Sequence, residues 1–158
     1  MVNNLFCYQT DLGKIGILED GIAITDLYFW DESAPRDAVV QETALLKEAG
    51  RQLKDFLAGK RKAFELPLAP AGTEFQQKVW QALQAIPYGE TRSYGEIARI
   101  IGQPKAFRAV GMANNKNPIL VLIPCHRVIG ANGNLVGYAG GLSVKEYLLN
   151  LENKYGNC

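Results

Sequence analysis

The run Ile119-Leu120-Val121-Leu122-Ile123, followed at once by Pro124-Cys125-His126-Arg127, restricts this chain more than any other stretch. Five consecutive aliphatics read as a strand buried on both faces, since such strands are continuously apolar rather than alternating. The strand is expected to end at Pro124, which has no amide hydrogen for a ladder and a fixed φ. A thiol, an imidazole and a guanidinium are then displayed at its tip. A free cysteine titrates at about 8.5, and a neighbouring cation or hydrogen-bonding base favours the thiolate, which is the nucleophile. A buried cysteine is often no more than packing. His126, however, is the chain's only histidine. Two titratable or charged groups directly after a buried segment are a poor choice for packing alone, so the stretch is expected to be a reactive site with an ionised sulfur.

With 158 residues and 47% hydrophobic content, the chain is large enough for one domain, or for a domain with a smaller lobe. Its apolar runs fall far short of the roughly 20 residues that span a bilayer. Met1-Val2-Asn3-Asn4 lacks the basic flank and apolar core of a signal peptide, so the cytoplasm is the expected compartment and no membrane partner is expected. Cys7, Cys125 and Cys158 sit at no metal-ligand spacing, which leads us to expect reduced thiols, no bound metal and no cofactor. The net charge of +1 is unevenly spread. Arg92, Arg99, Lys105, Arg108, Lys116 and Arg127 face the single acid Glu96 between residues 91 and 127, a local +5 that leaves −4 for the rest. A basic segment in a slightly acidic chain is what contact with a polyanion requires, although a solvated face has the same composition.

Residues 5–30 read as β structure, with Ile15, Ile17, Ile22 and Ile24 alternating and Asp20-Gly21 as a hairpin signal. A helix is predicted over 41–58, with Leu46, Ala49, Leu53, Phe56 and Leu57 as its apolar stripe and Gly59 at its C-cap. A short strand is expected over 64–68. The Pro/Gly/Ala stretch from Pro67 to Gly72 then separates a first lobe, 1–70, from a second, 71–158. The fold class expected is α/β, more specifically α+β. A small sheet-plus-helix lobe precedes a mostly helical one that holds a helix-turn-helix and a short active-site strand.

The second lobe opens on Thr73-x-x-Gln76, a capping box, and a helix with Phe75, Val79, Leu83 and Ile86 inward, ended by Pro87. Ser93-x-x-Glu96 caps a further helix with Tyr94, Ile97, Ala98 and Ile101 on one face. Gly102-Gln103-Pro104 turns into another, with Pro104 in its first turn and Ala106, Ala109, Val110 and Ala113 inward. Two short helices joined by a glycine-containing turn describe a helix-turn-helix at about 93–115. Arg108 points away from the inner face and projects from the surface. The glycines between Gly130 and Gly141 match neither a dinucleotide nor a phosphate loop, and suggest a loop shaped around a flat ligand. Ser143-x-x-Glu146 starts the last helix, with Val144, Tyr147, Leu148 and Leu151 inward. Glu152 lies at the margin of that face, where a partly buried carboxylate would allow a Cys-His-Glu relay, although a surface Glu is the more frequent outcome in a helix.

Ile123-Pro124-Cys125-His126-Arg127-Val128 resembles the active-site signature of the O6-alkylguanine-DNA alkyltransferases. The resemblance extends through Phe75-Gln76-Gln77-Lys78-Val79-Trp80, Pro87-Tyr88-Gly89-Glu90, Ser93-Tyr94, Pro104 to Gly111, Asn117-Pro118 and Gly137 to Leu142, in the family's order over the whole second lobe. It implies a ribonuclease H-like first lobe. It also implies binding as a monomer to the minor groove of double-stranded DNA, with an O6-alkylguanine rotated out of the stack. Cys125 would then take the alkyl group irreversibly, with O4-alkylthymine as a second substrate. By the same resemblance His126 takes the thiol proton through a water, Glu152 orients the imidazole, Tyr94 donates to the departing guanine, and Asn117 is a hinge between the recognition helix and the site. Val128, Tyr138 and Ala139 line the base pocket. Arg108 fills the gap in the stack, and Tyr94, Gly95, Gln103 and Ala131 meet the DNA.

Several positions depart from the family. Ala139 stands where relatives have a serine, Leu120 where some have proline, and Phe107 where others have a small residue. Two alternatives share parts of the pattern. A thiol hydrolase or amidotransferase would use the same relay but turn over repeatedly, and a non-catalytic helix-turn-helix protein would not need Cys125.

Overall fold

Strands β1 (Asn4–Thr10), β2 (Gly13–Glu19) and β3 (Ile24–Phe29) form an antiparallel meander, and the two-residue strand β4 (Val39–Val40) adds to β1 in parallel, giving the order β3-β2-β1-β4. The structure, a computed structural model, describes residues 3–30, 37–135, 137–138 and 140–156. They fall into two compact units, Met1–Ala71 and Gly72–Cys158.

In the first unit the Asp20-Gly21 signal produces the turn it predicts. The Asp20 carboxylate accepts from the backbone N–H of Ile22 and Ala23, both at 2.9 Å, and carries the chain from β2 into β3. Ile15, Ile17, Ile24 and Leu27 are buried, whereas Ile22 lies in the turn and is exposed. Helix α1 (Ala44–Leu57) starts at Thr43, whose hydroxyl accepts from Leu46, and buries the predicted stripe Leu46, Ala49, Leu53, Phe56 and Leu57. It ends one residue earlier than Gly59 as the C-cap implies. Ala58 is the cap and Gly59, at φ +77°, follows it, with Gly59 N–H bonded to Phe56 and Lys60 N–H to Asp55, a Schellman arrangement. The strand expected over 64–68 is reduced to a single bridge. Only Pro67 and Ala69 bond to Ile24, because Pro67 and Pro70 cannot extend a ladder.

The second unit is built on helices α2 (Glu74–Gln84), α3 (Tyr94–Ile100), α4 (Phe107–Asn115) and α5 (Leu142–Gly156), with a two-stranded parallel ribbon of β5 (Arg92–Ser93) and β6 (Val128–Ile129). Both capping boxes ahead of α2 and α3 are formed in full, each hydroxyl and each N3 side chain bonded reciprocally to backbone N–H groups. Val79, Trp80 and Leu83 form the buried side of α2, Ile86 is buried just beyond its end, and the Trp80 indole N–H donates to the Ala113 carbonyl at 2.9 Å, tying α2 to α4.

Three expectations are corrected here. Residues 119–123 are buried throughout but do not form a strand. Ile123 N–H bonds back to Ile119 and Leu122 N–H to Leu120, and Val121 takes a φ of +70°, which coils the segment into tight turns. The short strand of the site lies after the cysteine, at β6. Helix α4 starts at Phe107, because Pro104 is held in the preceding turn by Gln103 bonding to Ala98 and Ala106 to Gln103. Its buried face is therefore Val110, Ala113 and Asn114, while Ala109 is exposed and Ala106 is the N-cap. Helix α5 begins at Leu142, so Ser143 lies inside it. Its buried residues are Lys145, Leu148 and Glu152, with Tyr147 39% exposed, so the charged members of the sequence turn inward instead of the expected apolar stripe.

Candidate active site

Asn117 builds the loop that presents the cysteine. Its side-chain N–H donates to the carbonyl of Ile123 at 2.8 Å and its carbonyl oxygen accepts from Ile119 N–H at 3.0 Å, so one amide clamps both ends of the coiled aliphatic segment. Pro124 then makes a compact turn at φ −80° and ψ 63°, with Cys125 N–H bonded to Ile123, and Cys125, His126 and Arg127 form one turn of 3-10 helix. A side-chain bond from Asn114 to the Cys125 carbonyl fixes the same turn from α4, at 3.4 Å. β6 follows and pairs with β5, which places the cysteine turn beside the start of the helix-turn-helix.

Cys125, His126 and Glu152 are all essentially sealed from solvent. The Glu152 carboxylate lies 2.6 Å from His126 Nε2 and accepts from Arg127 Nε at 2.8 Å, from Arg127 Nη2 at 3.0 Å and from Gly89 N–H at 3.0 Å. The third Arg127 nitrogen, Nη1, donates to the Ile86 carbonyl at 2.8 Å, and the guanidinium lies 5.6 Å from the Tyr88 ring centroid. A carboxylate at Nε2 requires the proton on that nitrogen. Nδ1 is then the basic nitrogen of His126. It is buried and has no hydrogen-bond partner among the described residues. A relay in which Glu152 holds the ring and Nδ1 receives a proton is thus assembled.

The electrostatics match. Burial works against ionising Glu152, but the hydrogen bonds from His126 and Arg127 and the charge of Arg127 outweigh it and hold the carboxyl at about 2. Burial pushes His126 below its ordinary 6.5 despite the adjacent carboxylate, so the ring is neutral and able to act as a base. Burial also raises the Cys125 thiol to about 11, against the opposing pull of the Asn117 amide and the Lys145 ammonium. The expected resting thiolate is therefore replaced by a shielded thiol. Tyr94 and Tyr138 are both raised, by burial first and by the Cys125 charge second, which keeps both phenols protonated.

Of the remaining residues expected in the site, Val128 is fully buried in β6 and the Tyr138 hydroxyl is buried with no hydrogen-bond partner among the described residues. Ala139 lies outside the described residues. Arg108 and Gln103 are exposed on the helix-turn-helix, Gly95 is half-buried in α3, and Ala131 is exposed in the turn after β6. Lys145 was not among the expected site residues. Its ammonium is buried and donates to the carbonyls of Val128 at 2.6 Å and Gly137 at 3.3 Å. Lys145, Leu148 and Glu152 fall at i, i+3 and i+7 of α5. That spacing was visible, but a periodicity read from apolar residues alone assigns Lys and Glu to the outer face. Gly137 is required by its surroundings, since at φ +59° an added Cβ would stand 2.8 Å from the Asn115 side chain.

Acid stability follows from these groups. The Glu152 carboxyl is held at about 2 in the fold against 4.5 in an open chain, so its contribution to stability is complete above 4.5 and is lost as pH falls through about 2. His126 acts in the same direction, because below 6.5 the unfolded chain binds a proton that the folded one resists. Thermal unfolding should therefore move to lower temperature on acidification from neutral pH, and a Tm flat across that interval contradicts the burial of this pair.

Among the described residues no helix is long and apolar enough to cross a membrane, and no group of three or more His, Cys, Asp and Glu residues could hold a metal ion.

Comparison with known proteins places this geometry. Residues 74–154 match the family model "6-O-methylguanine DNA methyltransferase, DNA binding domain", and residues 6–70 match "6-O-methylguanine DNA methyltransferase, ribonuclease-like domain". The methylated-DNA–protein-cysteine methyltransferase of Methanosarcina acetivorans is 61% identical over 122 residues, 77% of this chain and 76% of that protein. The constitutive methylated-DNA–protein-cysteine methyltransferase of Bacillus subtilis is 49% identical over 152 residues, 91% of this chain and 92% of that one. Among solved structures, the Mycobacterium tuberculosis OGT in complex with DNA superposes with a TM-score of 0.91 at 43% identity, covering 96% of this chain and 94% of that one.

Proposed function

Because the chain belongs to the 6-O-methylguanine DNA methyltransferase family, the O6-alkylguanine-DNA alkyltransferases, we propose that it repairs DNA by moving the alkyl group of an O6-alkylguanine onto Cys125, once per molecule. It acts as a monomer in the cytoplasm. The observation that carries this reading is the buried Arg127-Glu152-His126 set, whose remaining basic nitrogen belongs to the residue next to a buried thiol.

The basic helix-turn-helix binds duplex DNA from the minor groove, and the damaged guanine rotates into the pocket near Val128 and Tyr138. Arg108 takes its place in the stack. The thiol proton passes to His126 Nδ1 through a water, and Glu152 stabilises the imidazolium that forms. The thiolate attacks the alkyl carbon, a C–S bond forms, and the C–O6 bond breaks with its electron pair going to the guanine. Tyr94, kept protonated by its surroundings, donates to the departing base as its charge develops. The Lys145 ammonium favours the transient thiolate. O4-alkylthymine presents the same alkyl–oxygen bond and is a second substrate.

A thioether is not hydrolysed, so product accumulates to one equivalent. With duplex O6-methylguanine DNA in tenfold excess, methyl transfer should rise and stop at one group per chain. Continued turnover would support a thiol hydrolase instead, and no transfer at all would support a non-catalytic DNA-binding protein.

A further inference from the structure

Helix α4 carries two large apolar side chains on its outer surface. Phe107 is 48% exposed and Met112 69% exposed, while the same helix buries Val110, Ala113 and Asn114. They lie in the segment with a local charge of +5, among Lys105, Arg108 and Lys116. Phe107 and Gly111 are four residues apart and share one row of the helix, about 6 Å along its axis. A Cβ added at Gly111 would meet the ring of Tyr94, the proposed donor to the departing base, at 3.8 Å. The row that begins at Phe107 therefore runs toward Tyr94. The Arg108 guanidinium carbon lies 5.9 Å from the Phe107 ring centroid, within the range of a cation–π contact. An exposed ring thus limits where the arginine can point.

We propose that Phe107 is a positioning residue for base extrusion: its ring carries the Arg108 guanidinium and enters the minor groove of duplex DNA beside it, as a wedge at the step from which the damaged base leaves. The inference rests on the alkyl-transfer reading above. Charge complementarity names the occupant, since a cationic surface with an apolar projection fits an anionic backbone that flanks stackable base steps. Apolar side chains inserted from the minor groove unstack such steps and kink the duplex. An arginine held on a ring loses less rotamer freedom on entering the same gap.

Single-turnover methyl transfer to Phe107→Ala, Phe107→Leu and Phe107→Tyr, compared on duplex and single-stranded oligonucleotides carrying O6-methylguanine, tests it. Phe107→Ala should slow the duplex reaction about tenfold more than the single-strand reaction, the size of a lost wedge and cation–π contact. Phe107→Tyr should restore the duplex rate and Phe107→Leu should restore part of it. In an Arg108→Ala background, removal of the ring should cost less than it does alone, because part of its effect runs through the arginine. Unchanged Tm values for the three variants separate these effects from folding. Equal losses on both substrates, or a Phe107→Ala variant as fast as the parent on duplex, would overturn the proposal while the alkyl-transfer reading stands. A parent protein that takes up no methyl group from either substrate would overturn both.

Discussion

Glu152→Ala should damage both fold and chemistry. The substitution leaves the Arg127 guanidinium buried without its carboxylate and strips the acceptor from His126 Nε2 and from Gly89 N–H. Breaking one side of a buried pair costs about 3–5 kcal/mol, a large part of the 5–15 kcal/mol that a domain of this size has in reserve. Glu152→Gln separates the two effects. The amide keeps the volume and one acceptor oxygen but gives up the charge and allows the wrong tautomer of His126, so Nδ1 is no longer reliably the base. Its single-turnover rate should fall by roughly 10²–10⁴-fold, as for loss of the orienting carboxylate in a nucleophile-base-acid triad. A Gln variant that folds and reacts at nearly the parental rate would remove Glu152 from the mechanism.

Arg108→Ala is the second large effect, and of the opposite kind. The side chain is exposed and lies against the exposed ring of Phe107, so stability should move by no more than about 0.5 kcal/mol. On duplex DNA the extruded base leaves a gap whose closure opposes extrusion by a few kcal/mol, and losing the group that fills it should slow repair on the order of 10²-fold. Reaction with the free base or a single strand, which has no such gap, should be affected far less. Equal losses on all substrates would exclude the finger role. Glu152 and Arg108 thus sort a buried relay from a surface device by where the damage appears: in Tm and every substrate for the first, in duplex repair alone for the second.

Local signals were legible wherever a short hydrogen-bonded pattern decides the backbone. Thr73 with Gln76 and Ser93 with Glu96 specify helix starts because both partners are within one turn, and Asp20 specifies a hairpin because its carboxylate reaches the next two free N–H groups. Burial was also readable, and every residue from Ile119 to Ile123 is in the core. Conformation there was not, because hydrophobicity reports burial and not φ. What bends the segment is the Asn117 side chain, bonded to both ends of it, and no periodicity encodes a side chain that substitutes for a ladder. The inner face of α5 escaped for a related reason. Lys145 and Glu152 turn inward because partners wait for them at Val128, His126 and Arg127, all supplied by a turn distant in sequence. The thiol was misjudged by weighing its charged neighbours without the desolvation that accompanies full burial, which here is the larger influence. Glu152 was singled out at the margin of the apolar face, where a surface position is the more frequent outcome for a carboxylate, and its orienting role came from the family resemblance rather than from the periodicity.

The account stands on Cys125 as the atom that receives the alkyl group. Intact-mass analysis after incubation with duplex O6-methylguanine DNA, followed by peptide mapping, tests it directly. One methyl group per chain, carried on the peptide that contains Cys125 and absent from a Cys125→Ser variant, is the predicted result. A methyl group found on Cys7 or Cys158, or an unmodified protein alongside repaired DNA, would contradict it.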